Sequence, residues 1–146
     1  MADISVTAAN VVMSAAGKYV DGTAGATITA GQAVYLDSTT NTYKLADSNA
    51  SAAAADCVGI AVNGAASGQP IRICTEDSDF TPGATLSISV AASSGIYLLS
   101  STAGGIEPLT ALTDLASGDY PAVLFVAKSA TKCNFRPLKG TAALTA

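Results

Sequence analysis

The chain contains no histidine and no tryptophan, and charged residues make up only 12% of it. Without histidine there is no ordinary general base at neutral pH, no imidazole metal ligand, and no Ser-His or Cys-His pair. The glycines form neither a GxGxxG nor a GxxxxGK[ST] fingerprint, so nothing in the sequence supports phosphate cradling. The formal charge of −4 does not favour nucleic acid, which selects a basic footprint. No apolar run approaches the roughly eighteen residues of a membrane-spanning helix. The start, Met1-Ala-Asp-Ile-Ser5, lacks the positive and apolar regions of a signal peptide, so synthesis and assembly in a reducing cytoplasm are expected. Cysteines number three, at 57, 74 and 133, an odd count with no CxxC spacing, and are expected to be buried free thiols.

Small residues and β-type patterning dominate what is present. At 146 residues the chain suits one domain. Three Phe and five Tyr supply few large core side chains, and oligomerisation is one way to bury more area. Thr23-Ala-Gly-Ala-Thr-Ile-Thr-Ala-Gly-Gln-Ala-Val-Tyr-Leu-Asp-Ser-Thr39 recurs loosely as Thr81-Pro-Gly-Ala-Thr-Leu-Ser87 and Gly95-Ile-Tyr-Leu-Leu-Ser-Ser-Thr102. Each copy leads to an apolar run, Cys57–Val62 in the first and Ala122–Ala127 in the second. The reading is one small β-unit used twice, over about 21–75 and 80–139, after an N-terminal arm and lead-in (1–20) and before a frayed tail (140–146). Within the lead-in, residues 1–10 are expected to have little structure of their own.

Strand signals fall at Val34–Leu36, Thr42–Leu45, Val58–Val62, Pro70–Thr75, Leu86–Val90, Ile96–Leu99, Pro121–Lys128 and Cys133–Leu138. In Pro70–Thr75, Ile71, Ile73 and Thr75 share one face, and Arg72, Cys74 and Glu76 the other. Asp47–Asp56 offers one or two helical turns or a loop, and Leu109, Leu112 and Leu115 at spacing three suggest a short helix closed by Gly118. Many short strands with turn signals about every ten residues describe an all-β fold: a small β-sandwich or β-barrel with a pseudo-repeated β-unit and one or two short helices.

Three side-chain clusters carry alternatives. Glu76-Asp-Ser-Asp79 reads as a solvated acidic turn or, with its several oxygens, as a Ca²⁺ site. Lys128, Lys132, Arg136 and Lys139, four of the seven basic residues, read as a charged strand edge, a contact for an acidic protein, or a phosphate site. Tyr35 and Tyr97 occupy matching places in the two copies and serve packing or carbohydrate stacking. No catalytic, cofactor-binding or metal-binding residue is assigned.

The order Gly25-Ala-Thr-Ile-Thr-Ala-Gly-Gln-Ala-Val-Tyr-Leu-Asp37, Tyr43-Lys-Leu-Ala46, Val58-Gly-Ile-Ala-Val62 and Gly68-Gln-Pro-Ile-Arg-Ile73 resembles the small capsid decoration, or cement, proteins of tailed bacteriophages. The resemblance covers roughly residues 20–75, with a weaker echo in the second half. It implies a β-rich fold, homotrimers, no catalysis and no cofactor. It also implies docking on the outer face of an assembled head, where the major capsid protein is the partner and neither nucleic acid nor membrane is engaged. An arm that orders on the shell would bring Asp3, Ile4 and Val6 to that partner. Other readings are another virion β-module, such as a head-fibre base or a tail-associated part, and a carbohydrate-binding β-module.

Overall fold

The computed structural model describes residues 3–90, 95–109, 115–139 and 142–146. The fold is all-β. Ten strands appear in chain order: β1 (Val11–Val12), β2 (Lys18–Thr23), β3 (Ala33–Asp37), β4 (Thr42–Leu45), β5 (Gly59–Ala61), β6 (Pro70–Pro82), β7 (Ile96–Leu99), β8 (Ile106–Pro108), β9 (Ala122–Ala127) and β10 (Cys133–Lys139). A 3-10 turn lies at Ala8–Asn10.

The strands pair in the order β4-β3-β5-β6-β10-β9-β7-β8, with β1 and β2 added along β6. This order is palindromic. Each half runs hairpin (β3–β4, β7–β8), inner strand (β5, β9) and long strand (β6, β10), and the two halves meet where β6 and β10 pair antiparallel. The sequence repeat is therefore a repeated connectivity. Tyr35 and Tyr97 fall on the equivalent strands β3 and β7.

The first half curls into a small barrel. β2 pairs with β6 from Lys18↔Glu76 to Thr23↔Pro70, and β5 pairs with the opposite edge of β6 at Ile60↔Cys74 and Ala61↔Ile73. One end closes through a parallel bridge between Ala24 and Tyr43, where the Gly25 N–H donates to the Tyr43 carbonyl at 2.8 Å. Ala24, Ile28, Val34, Tyr43, Ala61, Ala65, Ile71 and Ile73 fill the interior. The other core contains Ala33, Ile60 and Cys74 from the opposite face of the same strands, packed with Phe80, Tyr97, Leu124, Phe125 and Phe135 from the second half. Phe80 meets Phe135 with ring centroids 5.7 Å apart, and Tyr97 stacks on Phe125 at 4.9 Å. The start of β3 (Ala33 and Val34), β5 and the Ile73–Cys74 stretch of β6 are thus buried on both faces, which is why Cys57–Val62 reads as a near-continuous apolar run.

Several expectations are corrected. Glu76–Asp79 is no turn. It lies inside the thirteen-residue β6, where a register shift against β10 separates the pairs Phe80↔Cys133 and Asp77↔Phe135. Cys74 is buried as expected of a free thiol, although it alternates with Arg72 and Glu76, because the second half covers β6 there. Leu86–Val90 forms no strand: Leu86 is buried, with its N–H donating to the Ala130 carbonyl, while Ile88 and Val90 are 63% and 88% exposed. Asp47–Asp56 is a chain of turns, with the Asp47 carboxylate accepting the Asn49 N–H at 3.0 Å. The tail is tied to the body where described, since the Leu144 N–H donates to Asp119 and the Leu144 carbonyl accepts from Gly118. β2 and β8 lack the alternating signal and were not foreseen. Residues 110–114, most of the expected Leu-rich helix, lie outside the described residues.

Candidate docking surfaces

The N-terminal arm is seated on its own body. The Ile4 N–H donates to the Ile106 carbonyl at 2.8 Å and the Thr7 N–H to the Gly83 carbonyl at 2.8 Å, while Ile4 and Val6 pack against the larger core. Glycines make the seat. A Cβ on Gly31 would strike the Val6 side chain, one on Gly105 would strike the Asp3 carboxylate, and one on Gly83 would lie 2.7 Å from the Thr7 carbonyl oxygen. The expectation of an arm without structure of its own is corrected by these contacts. Asp3, Ile4 and Val6 are half-buried, and any contact they make with a partner would first have to break them.

The acidic and basic clusters read separately in the sequence face each other across β6 and β10. Lys128 Nζ donates to the Ser78 carbonyl at 2.9 Å and pairs with Asp79 at 3.1 Å; Lys132 lies 3.9 Å from Asp79, and Arg136 lies 3.8 Å from Glu76. Lys139 pairs with Asp56 at 2.6 Å. These pairs are largely exposed and contribute little stability each, but they neutralise both clusters.

Asp77 stands apart, being 1% exposed. Its carboxylate accepts the Ser14 N–H at 2.6 Å, the Ser14 hydroxyl, and the Asp79 N–H at 2.9 Å. Burial pushes this carboxyl up, but the two Ser14 donors and the Asp79 N–H outweigh it, and its pKa lies below the ordinary 3.8. Asp77 sits where β6 exchanges β2 for β1, so it clips the β1–β2 connection to the spine. Among the described residues no group of three or more His, Cys, Asp or Glu could hold a metal ion.

Tyr97 is a packing residue: buried, stacked on Phe125, its hydroxyl accepting the Ser87 N–H at 2.7 Å. Tyr35 is half-buried against the larger core. All three cysteines are free and buried. Burial pushes the thiols of Cys57 and Cys74 up to about 12, and that of Cys133 up as well. Among the described residues no helix is long and apolar enough to cross a membrane.

Besides a concavity of about 390 Å³ lined by Asp21, Asn63, Pro70, Ile71 and Arg72, three others stand out among the described residues. One, of about 350 Å³, is lined by the hydroxyl residues Ser5, Thr7, Thr81, Thr85 and Thr131 with Asn10, and no aromatic ring borders it. A second runs beneath the arm. The third is a groove of about 490 Å³ on β9 and β10, floored by Val123 and Phe125 and rimmed by Val126, Pro137, Leu138 and Arg136.

One further surface escaped the sequence reading. In β2, Lys18, Tyr19, Val20 and Asp21 are all exposed, whichever face they point to. Arg72 on β6 organises them: its guanidinium lies 4.0 Å from the centre of the Tyr19 ring and binds Asp21 at 2.7 and 3.1 Å, which holds the Asp21 carboxyl below the usual range. The adjacent apolar residues Tyr19 and Val20 were the available signal, but without alternation they did not mark a strand. Comparison with protein-family models and with curated proteins finds no match to this chain.

Proposed function

We propose that this protein is a structural component of a bacteriophage virion, binding the outer surface of an assembled head and reinforcing contacts between major capsid subunits. The observation that carries the reading is where the decoration-protein-like segments fall. Gly25–Asp37 leads into and includes β3, Tyr43–Ala46 overlaps β4, Val58–Val62 contains β5, and Gly68–Ile73 opens β6, so the segments build consecutive strands of one closed unit with its own core. The whole sequence signature thus specifies a single compact module, and the second half repeats its connectivity.

Such a module works as a surface. The apolar groove on β9 and β10, with Leu138 70% exposed and Arg136 at its rim, is the face best suited to a protein partner. A homo-oligomer, a trimer by the resemblance, would present several such faces at once, so that after the first contact the others become effectively intramolecular. Purified protein added to cognate shells lacking it should bind at saturable stoichiometry and raise their resistance to heat and osmotic shock. Shells that neither bind the protein nor gain resistance at saturating concentration would overturn the proposal. The hydroxyl-lined groove lacks the aromatic platform of a sugar site, and no observation favours the carbohydrate reading over this one.

A further inference from the structure

The free edge of β2 is built to accept another strand. The Val62 N–H donates to the Arg72 carbonyl at 3.0 Å and the Arg72 N–H donates to Asn63 Oδ1 at 2.7 Å, so both backbone groups of Arg72 point away from β2. Asp21, which faces Arg72, is therefore in a non-hydrogen-bonded pair, and so by alternation is Tyr19, which faces Cys74. The N–H and C=O groups of Tyr19 and Asp21 therefore point outward from the sheet, and among the described residues none of them meets a backbone partner outside it. Such a row of unpaired donors and acceptors is a template for another chain. Other margins of the fold are occupied: the arm donates to Ile106 on β8, and β4 is bridged to Ala24.

We infer that a second copy of this chain occupies this edge, β2 against β2, about a local two-fold axis through Val20. Backbone parity requires outward-pointing residues to meet outward-pointing residues, and of the registers this allows, the one with Tyr19 facing Asp21 of the second copy, and Asp21 facing its Tyr19, avoids setting Asp21 against Asp21. That gives four new backbone hydrogen bonds and leaves Val20 opposite Val20. The side chains agree with this register. Lys18 faces the glycine at 22 and Asp21 faces a tyrosine, so no like charges stand opposite each other. Tyr19, Asp21 and Arg72 lie on one face, so the joined face carries two guanidinium groups and two carboxylates, and Val20, 39% exposed in the single chain, becomes covered on the other. The charge on the edge is already neutralised within each chain by the Arg72–Asp21 pair, so it does not repel a second copy. This contact is independent of the shell reading: a trimer built through another face would be joined by it in pairs, into an assembly of six chains.

Val20→Cys tests the geometry directly. Opposed residues in a non-hydrogen-bonded antiparallel pair lie about 4.5 Å apart at Cα, within disulfide range. Mild oxidation with oxidised glutathione should convert most of this variant to a covalent dimer on a non-reducing gel, while Ile88→Cys, at a position more exposed in the single chain, should not dimerise. In sedimentation the wild-type chain at about 100 μM should show a mass of two chains or an even multiple, and Val20→Lys, with two ammonium groups on the axis, should halve it while keeping the wild-type circular dichroism. A wild-type monomer or an odd-numbered assembly, a Val20→Lys mass equal to wild type, or equal crosslinking at 20 and 88 would each overturn the inference. None of these results bears on binding to shells, so the two proposals fail separately.

Discussion

Asp77 shows how one buried carboxylate joins two parts of a chain far apart in sequence. Replacing it with Ala leaves the Ser14 N–H and hydroxyl without their acceptor in a partly buried site, and charged hydrogen bonds of this kind contribute about 1.5–3 kcal/mol each before losses are offset. We expect Asp77→Ala to destabilise the fold by about 2–3 kcal/mol in urea unfolding. Because the folded-state pKa lies below the unfolded value of about 3.8, the stabilisation is fully present above the unfolded pKa and is lost as pH falls through the folded one. The wild type should therefore lose stability as pH falls through and below the ordinary carboxylate range, and Asp77→Asn should flatten that part of the curve. Equal acid sensitivity in the two proteins would show that other carboxylates control it. Gly59 is a second residue with a single steric reason for its identity. A Cβ there would collide with the Cys74 carbonyl oxygen across the ladder and meet Ile73 Cγ2 at 2.5 Å. Backbone cannot yield as a side-chain tip can, so Gly59→Ala should cost about 3 kcal/mol, read as a lower urea midpoint at unchanged slope.

Among the elements, the arm and the spine differ most from the sequence reading. The arm reaches both halves of the molecule, touching Gly31 in the first and the Ile106 carbonyl in the second. Deleting residues 2–7 removes three backbone hydrogen bonds, from Ile4 to Ile106, from Thr7 to Gly83 and from Asn10 to Thr7, and the apolar cover supplied by Ile4 and Val6. By side-chain burial and hydrogen bonding this is about 2–4 kcal/mol before the arm's own ordering entropy is set against it. We expect a lower melting temperature with the β-signature of the circular dichroism retained. An unchanged melting temperature would mean that the arm's contacts contribute no net stability. The spine β6 runs through an acidic stretch because its charges are matched by β10 and the segment after β9, not because acids favour strands.

Across the whole molecule, the two cores share β3, β5 and β6, so the halves should unfold together. The cysteines report on this. Cys57, Cys74 and Cys133 all belong to the larger core, between the halves. With buried thiols held in the protonated form, the native protein should react with thiol reagents only through unfolding, and all three should appear together when denaturant crosses the transition. One thiol reacting early would show that one half opens alone, and a total of one thiol after full unfolding without reductant would reveal a disulfide.

The all-β class, the doubled unit and the hairpins were legible because they rest on local chemistry. Val34-Tyr-Leu36 and Thr42–Leu45 flank an Asp-Ser-Thr-Thr-Asn turn, in which Asn41 takes the left-handed conformation with φ of 56° that asparagine tolerates. The run Cys57–Val62 and its counterpart Ala122–Ala127 became equivalent inner strands because a short β-branched, apolar segment between turn signals has few other places to go. The composition likewise removed imidazole chemistry from consideration at the outset. Only the tertiary structure decided the rest, because it turns on which segments meet. Glu76–Asp79 has turn chemistry locally and becomes strand because β10 brings basic side chains to it. Cys74 was expected to be buried, but which core it joins was decided by the second half, which covers the face it shares in alternation with Arg72 and Glu76. The arm is short and weakly apolar and becomes ordered because glycines at 31, 83 and 105 hold space for it. The open β2 edge exists because β2 has β6 on one side and touches β4 at one end alone, a pairing no local pattern encodes.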